Sequence, residues 1–244
     1  MKKALVFADR CQKEMLRDPL TYIFSIGLPI VLLVMMTLLN RSIPGAPFAL
    51  ETFAPGMAVF GLAFSSLFTG MLVAKDRASS FLLRAFASPL RAGDFVLGYT
   101  LPLLLMALIQ GAACFAAAAA LGLAVTPRVL PALIALLPAA LLYVGLGLMM
   151  GTVMSDRQVG GIASILINAA TLLSGTWFPL ELVGAGFRKV CYALPFAHAV
   201  DAVRLALSGG EGVFAHLAVV LAYAAAVFAL GTYLFGRKMR GGKV

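Results

Sequence analysis

The sequence predicts an all-α membrane protein: six transmembrane helices, an amphipathic interfacial helix before them, a short cytoplasmic helix in one loop and an outer re-entrant segment late in the chain. Three observations carry this. Hydrophobic residues make up 62% of the 244 and charged residues 12%, too few to give a water-soluble globule a polar surface. The apolar residues fall in runs near the about 20 needed to cross a hydrocarbon core of about 30 Å with every backbone amide paired inside its own helix. The 19 Lys and Arg gather between alternate runs, the distribution that keeps basic loops on the cytoplasmic side.

We read 1–244 as one transmembrane domain. Residues 1–19 carry Leu5, Ala8, Cys11 and Met15 on one helical face and Arg10, Lys13 and Arg17 on another, so this elbow is expected to lie on the inner leaflet until Asp18 and Pro19 break it. Spans follow at 20–39, 53–74, 97–122, 129–154, 158–180 and 212–236, none containing Asp, Glu, Lys or Arg. Spans three and four are divided at "VTPRVLP", where Arg128 stands between two prolines. The segment 181–211 holds Glu181, Arg188, Lys189, Asp201, Arg204 and Glu211, and its longest uncharged run, Val190 to Val200, is too short to cross. It is expected to be re-entrant or interfacial.

With the amino terminus inside, fourteen basic residues fall on cytoplasmic segments and five outside, which puts both termini in the cytoplasm. The net charge of +9 is then a topology signal that also holds anionic headgroups. With no separate basic domain, nucleic acid is not an expected partner; the lipid bilayer is. Cys11, Cys114 and Cys191 fall at three different depths, so they read as small hydrophobes and not as a disulfide or metal framework. No cleavable signal peptide is expected, because the first 18 residues are charged and amphipathic.

Two spans carry patterns. In the second, Phe60, Phe64 and Phe68 form a bulky stripe beside a small one of Gly61, Ser65 and Thr69. The small stripe predicts close helix packing, as do Gly147 and Gly151 in the fourth span. The phenylalanines fit lipid, a partner or an apolar pathway alike. In the fifth, Asn168, Thr171 and Ser174 recur at i, i+3 and i+6, and fit interhelical glue and the lining of a transport path equally. Trp177 and Phe178 suit the outer interface. All eight are candidate path residues.

Catalytic chemistry finds no carrier. His198 and His216 have no HExxH context, no serine sits in GxSxG, and no GxxxxGK[ST] loop is present. We therefore expect no catalytic residue, no metal site and no cofactor in this chain. A gradient-driven carrier would show intramembrane acids or an interrupted inverted repeat, and the charge-free spans weigh against one, although an ion-coupled carrier stays the alternative from another class. Energy is expected to come from a partner.

The cytoplasmic segment 75–94 is long for a link between antiparallel helices, typically about 2 to 8 residues. Its Phe81, Leu82, Ala85 and Phe86 make an apolar side, with Lys75, Arg77 and Arg84 around it and Ser88–Pro89 ending it. Such a knob suits docking to a protein and rest on a bilayer surface equally.

"KDRASSFLLRAFASPLRAGDFVLG" resembles the cytoplasmic loop of type 2 permeases of ATP-binding-cassette exporters, with a charged cluster leading a helix and a small-Pro-Leu step before the next span. "SGTWFPLELV" followed by "LPFAHAVDAVRLALSGG" is similar to the outer segment of that family. The length, span number and leading amphipathic helix agree over essentially the whole chain, closest in flavour to the drug-resistance and nodulation-factor branch. One departure is that Asp76 is the only acid in "KDRASS", where the family often has several and a Gly-Thr.

The resemblance implies a permease subunit in a bacterial plasma membrane, acting as a dimer with a second copy or a paralogous permease. It implies a separate nucleotide-binding ATPase subunit that binds ATP and Mg. Phe81, Leu82 and Phe86, with Lys75, Asp76, Arg77 and Arg84, would form a coupling helix seated in that subunit. The transported compound would be an amphiphilic small molecule or lipid-linked compound, with polysaccharide or lipo-oligosaccharide as the alternative within the family. Asp201 and Arg204, at i and i+3, are expected to hold the outer segment together.

Overall fold

The computed structural model describes residues 2–42, 49–79 and 92–241. Among these the regular structure is all helix, with no strand. Helix α1 is Lys2–Leu16 and α2 is Pro19–Ser42. Then come α3 (Leu50–Ala78), α4 (Ala92–Leu121), α5 (Val129–Val153), α6 (Asp156–Leu173), α7 (Ala185–Ala193), α8 (Pro195–Ser208) and α9 (Val213–Gly241). Among the described residues five helices, α2, α3, α4, α5 and α9, are long and apolar enough to cross a bilayer, and α7 and α8 form a pair bent by 87°.

The elbow is an amphipathic helix whose buried face keeps the expected Ala8, Cys11 and Met15 but takes Ala4 and Phe7 in place of Leu5. Ala4, Phe7, Ala8, Cys11 and Met15 turn inward while Leu5 is 56% exposed. The reason is Phe7, whose ring meets the edges of Phe95 and Tyr99 at centroid distances of 5.2 and 4.9 Å. Gly98 makes room for that ring, since a side chain there would overlap Phe7. The elbow thus packs on the start of α4.

Asp18 caps α2, accepting from Leu20 N and Thr21 Oγ1 at 3.1 Å each, with Pro19 at the first helical position. Residues Ile23–Gly27 widen into a π turn. Pro29 explains it: the ring nitrogen has no hydrogen to give the Ser25 carbonyl four residues back. That carbonyl abuts α3 at Gly61, where an added Cβ would lie 2.6 Å from Ser25 O.

Helix α3 is the central member, and the small residues that the sequence marks for packing sit in its contacts. A Cβ on Gly147 would lie 2.5 Å from Ser66 O, and one on Gly151 would collide with Gly70 O, so α3 and α5 meet backbone to backbone. Thr69 donates to Ser65 O at 2.5 Å, which satisfies its hydroxyl within the helix.

Helix α6 opens on a capping box of Ser155 and Gln158. Val159 packs against Gly70 and Ala74, and Thr176, just beyond the helix, packs against Gly56. The chain from α6 into this turn therefore runs beside α3 for about 21 Å of its rise. Helix α6 covers the first part of the expected fifth span, 158–180, but with 18 residues that begin on Asp156 and Arg157 it is not among the helices long and apolar enough to cross a bilayer. It ends at Leu173 because Gly175 takes a left-handed φ of +69°, and Trp177 and Phe178 lie off the helix.

The segment expected to be re-entrant is the α7–α8 pair. Leu194 is extended before Pro195, which stops α7 and starts α8 at the sharp bend. Gly209 closes α8 in the left-handed region at φ 76°. Phe196 stacks on Tyr143 of α5 at 6.1 Å, which anchors the hairpin in the bundle. Cys11, Cys114 and Cys191 are all buried free thiols.

Side-chain ties mark two ends. At the elbow end Phe7, Phe95 and Phe235 cluster. At the opposite, hairpin end Arg41 donates to Leu121 O at 2.6 Å and Arg128 to Ser208 O at 2.5 Å.

Candidate functional site

The elbow end holds a cluster of joined polar side chains. Asp76 stands in the last turn of α3, its side chain 4% exposed. Arg10 of α1 donates to both its oxygens, at 2.5 and 2.6 Å. Tyr99 of α4 donates its hydroxyl at 2.7 Å. Arg10 also pairs with Glu14 at 2.7 Å and lies over the Phe7 ring at 5.8 Å. One carboxylate so joins three helices in bidentate, charge-assisted geometry. The hydrogen bonds and charge of Asp76 hold the Arg10 guanidinium above its ordinary range. Burial raises the Glu14 carboxyl and pushes the Cys11 thiol up to about 12.

The next residue extends the hub. The Arg77 guanidinium donates to the carbonyls of Thr152 and, at 2.6 Å, of Met154. These belong to the last turn of α5 and its cap, where carbonyls lack helical partners. Ser79 ends α3 through Ser79 N to Lys75 O at 3.0 Å. Four helices, α1, α3, α4 and α5, are therefore fastened together at the mouth of the 80–91 segment.

Of the docking residues read from the sequence, Phe81, Leu82, Arg84 and Phe86 lie outside the described residues. Lys75 is exposed. Asp76 points into the protein toward Arg10 and Tyr99, and Arg77 reaches the carbonyls at the end of α5. Arg10 and Tyr99 were missed. The signal for Asp76 was present, since it follows Thr69 and Val73 at i, i+4 and i+7 on a face otherwise turned inward; nothing in the sequence picked out Arg10 as its partner.

The candidate path residues separate. Phe60 and Phe64 meet edge to face at 5.3 Å, and Phe24 of α2 stacks on Phe64 at 5.7 Å. Phe68 lines a groove of about 390 Å³ between the elbow, α2 and α3, with Glu14, Arg17 and Lys75 at its rim and Phe24, Leu67 and Met71 inside. The polar triplet of α6 does not form a stripe. Thr171 and Ser174 are buried and donate within the chain, to Ile167 O and Thr171 O, while Asn168 is exposed and donates to Ser164 O. Steps of three residues rotate by 300°, so i+6 lies about 120° from i.

Trp177 meets Phe53 edge to face at 5.8 Å. Phe178 borders a hairpin-end cavity of about 200 Å³ with Phe53, Glu181, Tyr192, Asp201 and Arg204. Arg204 pairs with Asp201 at 3.6 Å and donates to Thr52 O and Gly175 O, each at 2.9 Å. It so fastens the hairpin to α3 and to the turn after α6. Asp201 accepts from Tyr192 at 2.8 Å; burial and that bond push the Tyr192 phenol up to about 12.

Residues 3–208 match the family model described as ABC-2 type transporter. The chain is 25% identical over 229 residues to nodulation protein J of Sinorhizobium fredii (strain NBRC 101917 / NGR234), covering 92% of this chain and 85% of that protein. It is 24% identical, with the same coverage, to nodulation protein J of Rhizobium meliloti (strain 1021). Among the described residues no group of three or more His, Cys, Asp or Glu could hold a metal ion.

Proposed function

Because the chain belongs to the ABC-2 type transporter family, we propose that it is the membrane-spanning permease of an ATP-driven exporter moving an amphiphilic compound outward. ATP and Mg are bound by a separate ATPase subunit, and the permease works beside a second copy or a paralogous one. The observation that carries this is the hub. Arg10, Asp76, Tyr99 and Arg77 bind four helices together where the apolar segment from Phe81 to Phe86 begins. A displacement applied to that segment reaches the elbow and spans as one body, because packed, hydrogen-bonded helices transmit strain instead of absorbing it.

The elbow end, with most of the basic residues, faces the cytoplasm of a bacterial cell. The groove between elbow, α2 and α3 supports an amphiphile as cargo, since charged groups rim an apolar trough at that end. The phenylalanines beyond it continue an apolar surface.

The test is association. Phe81→Asp with Phe86→Asp is expected to abolish co-purification of the ATPase encoded with this chain, while thermal unfolding of the permease alone is unchanged. Association retained by a folded double variant would remove the docking assignment.

A further inference from the structure

At the hairpin end the two histidines of the chain meet. His198, in the first turn of α8, and His216, in the first turn of α9, bring their Nδ1 atoms to 2.8 Å. His198 Nε2 lies 3.0 Å from the Tyr192 carbonyl oxygen. We propose that this pair is a proton-operated latch, which ties the re-entrant hairpin to the last span while it holds at most one added proton and opens on the second.

The tautomers follow from the partners. A carbonyl only accepts, so His198 Nε2 carries the hydrogen, and in the neutral ring Nδ1 is left as the acceptor. His216 must then donate from Nδ1. A first proton goes to His216 Nε2 and leaves the Nδ1–H···Nδ1 bond in place, now charge-assisted. A second proton can only go to His198 Nδ1. Two N–H groups then face one another between two cations whose rings are 4.9 Å apart, and the contact has to break. Two interacting sites of this kind titrate in separated steps.

The charges named around the pair are two acids, Glu181 and Asp201, and two cations, Arg188 and Arg204, so they do not offset two added protons. From α7 the Tyr192 ring meets His198 edge to face at 5.4 Å, and Arg188 lies over that ring at 5.6 Å. From α8 comes Asp201, one turn beyond His198, already engaged by Tyr192 and Arg204. Glu181 borders the same cavity as Asp201. From α9, Tyr223 donates to Ala193 O at 2.7 Å. From α5 the facing group is Tyr143, against Phe196, and α3 contributes the Thr52 carbonyl to Arg204. With the His198–His216 bond gone, Tyr223–Ala193 and the apolar packing of α8 are left to hold α9 to the hairpin.

The latch is independent of the exporter proposal, and its test needs no ATPase. With only two histidines in the untagged chain, selective ¹⁵N-histidine labelling gives spectra of these two rings alone. In nanodiscs the expected result is two coupled steps seen by both rings, with the remaining ring's step displaced in His198→Asn and in His216→Asn. Hydrogen exchange of residues 195–208 is expected to rise roughly tenfold below the second step in the wild type. Two independent steps, each unmoved by substitution of the other histidine, would overturn the latch. So would hairpin exchange that is flat across both steps.

Discussion

Asp76 sets the energetics of the elbow end at the scale of single residues. Its carboxylate is nearly sealed from water and has one cation and one phenol as partners. Removing a partner from such a pair leaves a charge without compensation, which costs about 3–5 kcal/mol, whereas losing one neutral donor costs about 1 kcal/mol. Arg10→Ala is therefore expected to lower the thermal midpoint in detergent by several times as much as Tyr99→Phe; equal shifts would contradict the ion pair's weight. Cys11 gives a pH signature. Its thiol is held up to about 12 in the folded protein against about 8.5 in an unfolded chain. The unfolded chain alone loses this proton between those values, so stability is full below about pH 8.5 and falls as pH rises toward 12. Mass tagging with a maleimide at pH 8 is expected to label Cys11 only after unfolding.

At the scale of helices, close approach and polar exposure separate packing glycines from the rest. Gly147→Leu is expected to drive α3 and α5 apart, because the new side chain would enter the Ser66 and Thr69 turn, and to reduce the folded yield severely in fluorescence-detected size exclusion. Gly160 and Gly161 of α6 have no atom within 4 Å of an added Cβ. Alanine at either is expected to keep or raise stability, by up to about 1 kcal/mol each, read from an unchanged or higher thermal midpoint. Most of these elements are legible in the sequence. Apolar runs near 20 residues give the spans, the Gly147–Gly151 spacing gives a packed face, and the charges of 181–211 with Pro195 give the hairpin. The end of α6 at Leu173 is not legible from hydropathy, because Trp177 and Phe178 keep the window apolar while the left-handed Gly175 turns the chain. The inward turn of Asp76 is legible only from helical phase; its partner Arg10 is 66 residues away, and tertiary pairing leaves no local trace. The elbow face was shifted by Phe7 for the same reason, since its pocket is built by Gly98 on another helix.

At the scale of the whole molecule, two fastened ends bracket the bundle. Arg10, Asp76 and Tyr99 tie the elbow to α3 and α4 at one end, and Arg204 ties the hairpin to α3 and the α6 turn at the other. Helix α3 belongs to both, so it is the element through which a push at the elbow end would reach the hairpin. Arg204→Met is expected to loosen only the far end, which would appear as faster hydrogen exchange in 185–208 with protection of α1 unchanged. The central claim is that the energy for movement comes from a separate motor and not from a gradient across this chain. The most direct measurement is flux of a fluorescent amphiphile in proteoliposomes holding the permease with or without its ATPase subunit, each with ATP alone or with a pH gradient alone. Flux is expected only where the ATPase and ATP are both present; flux driven by the pH gradient through the permease alone would contradict it.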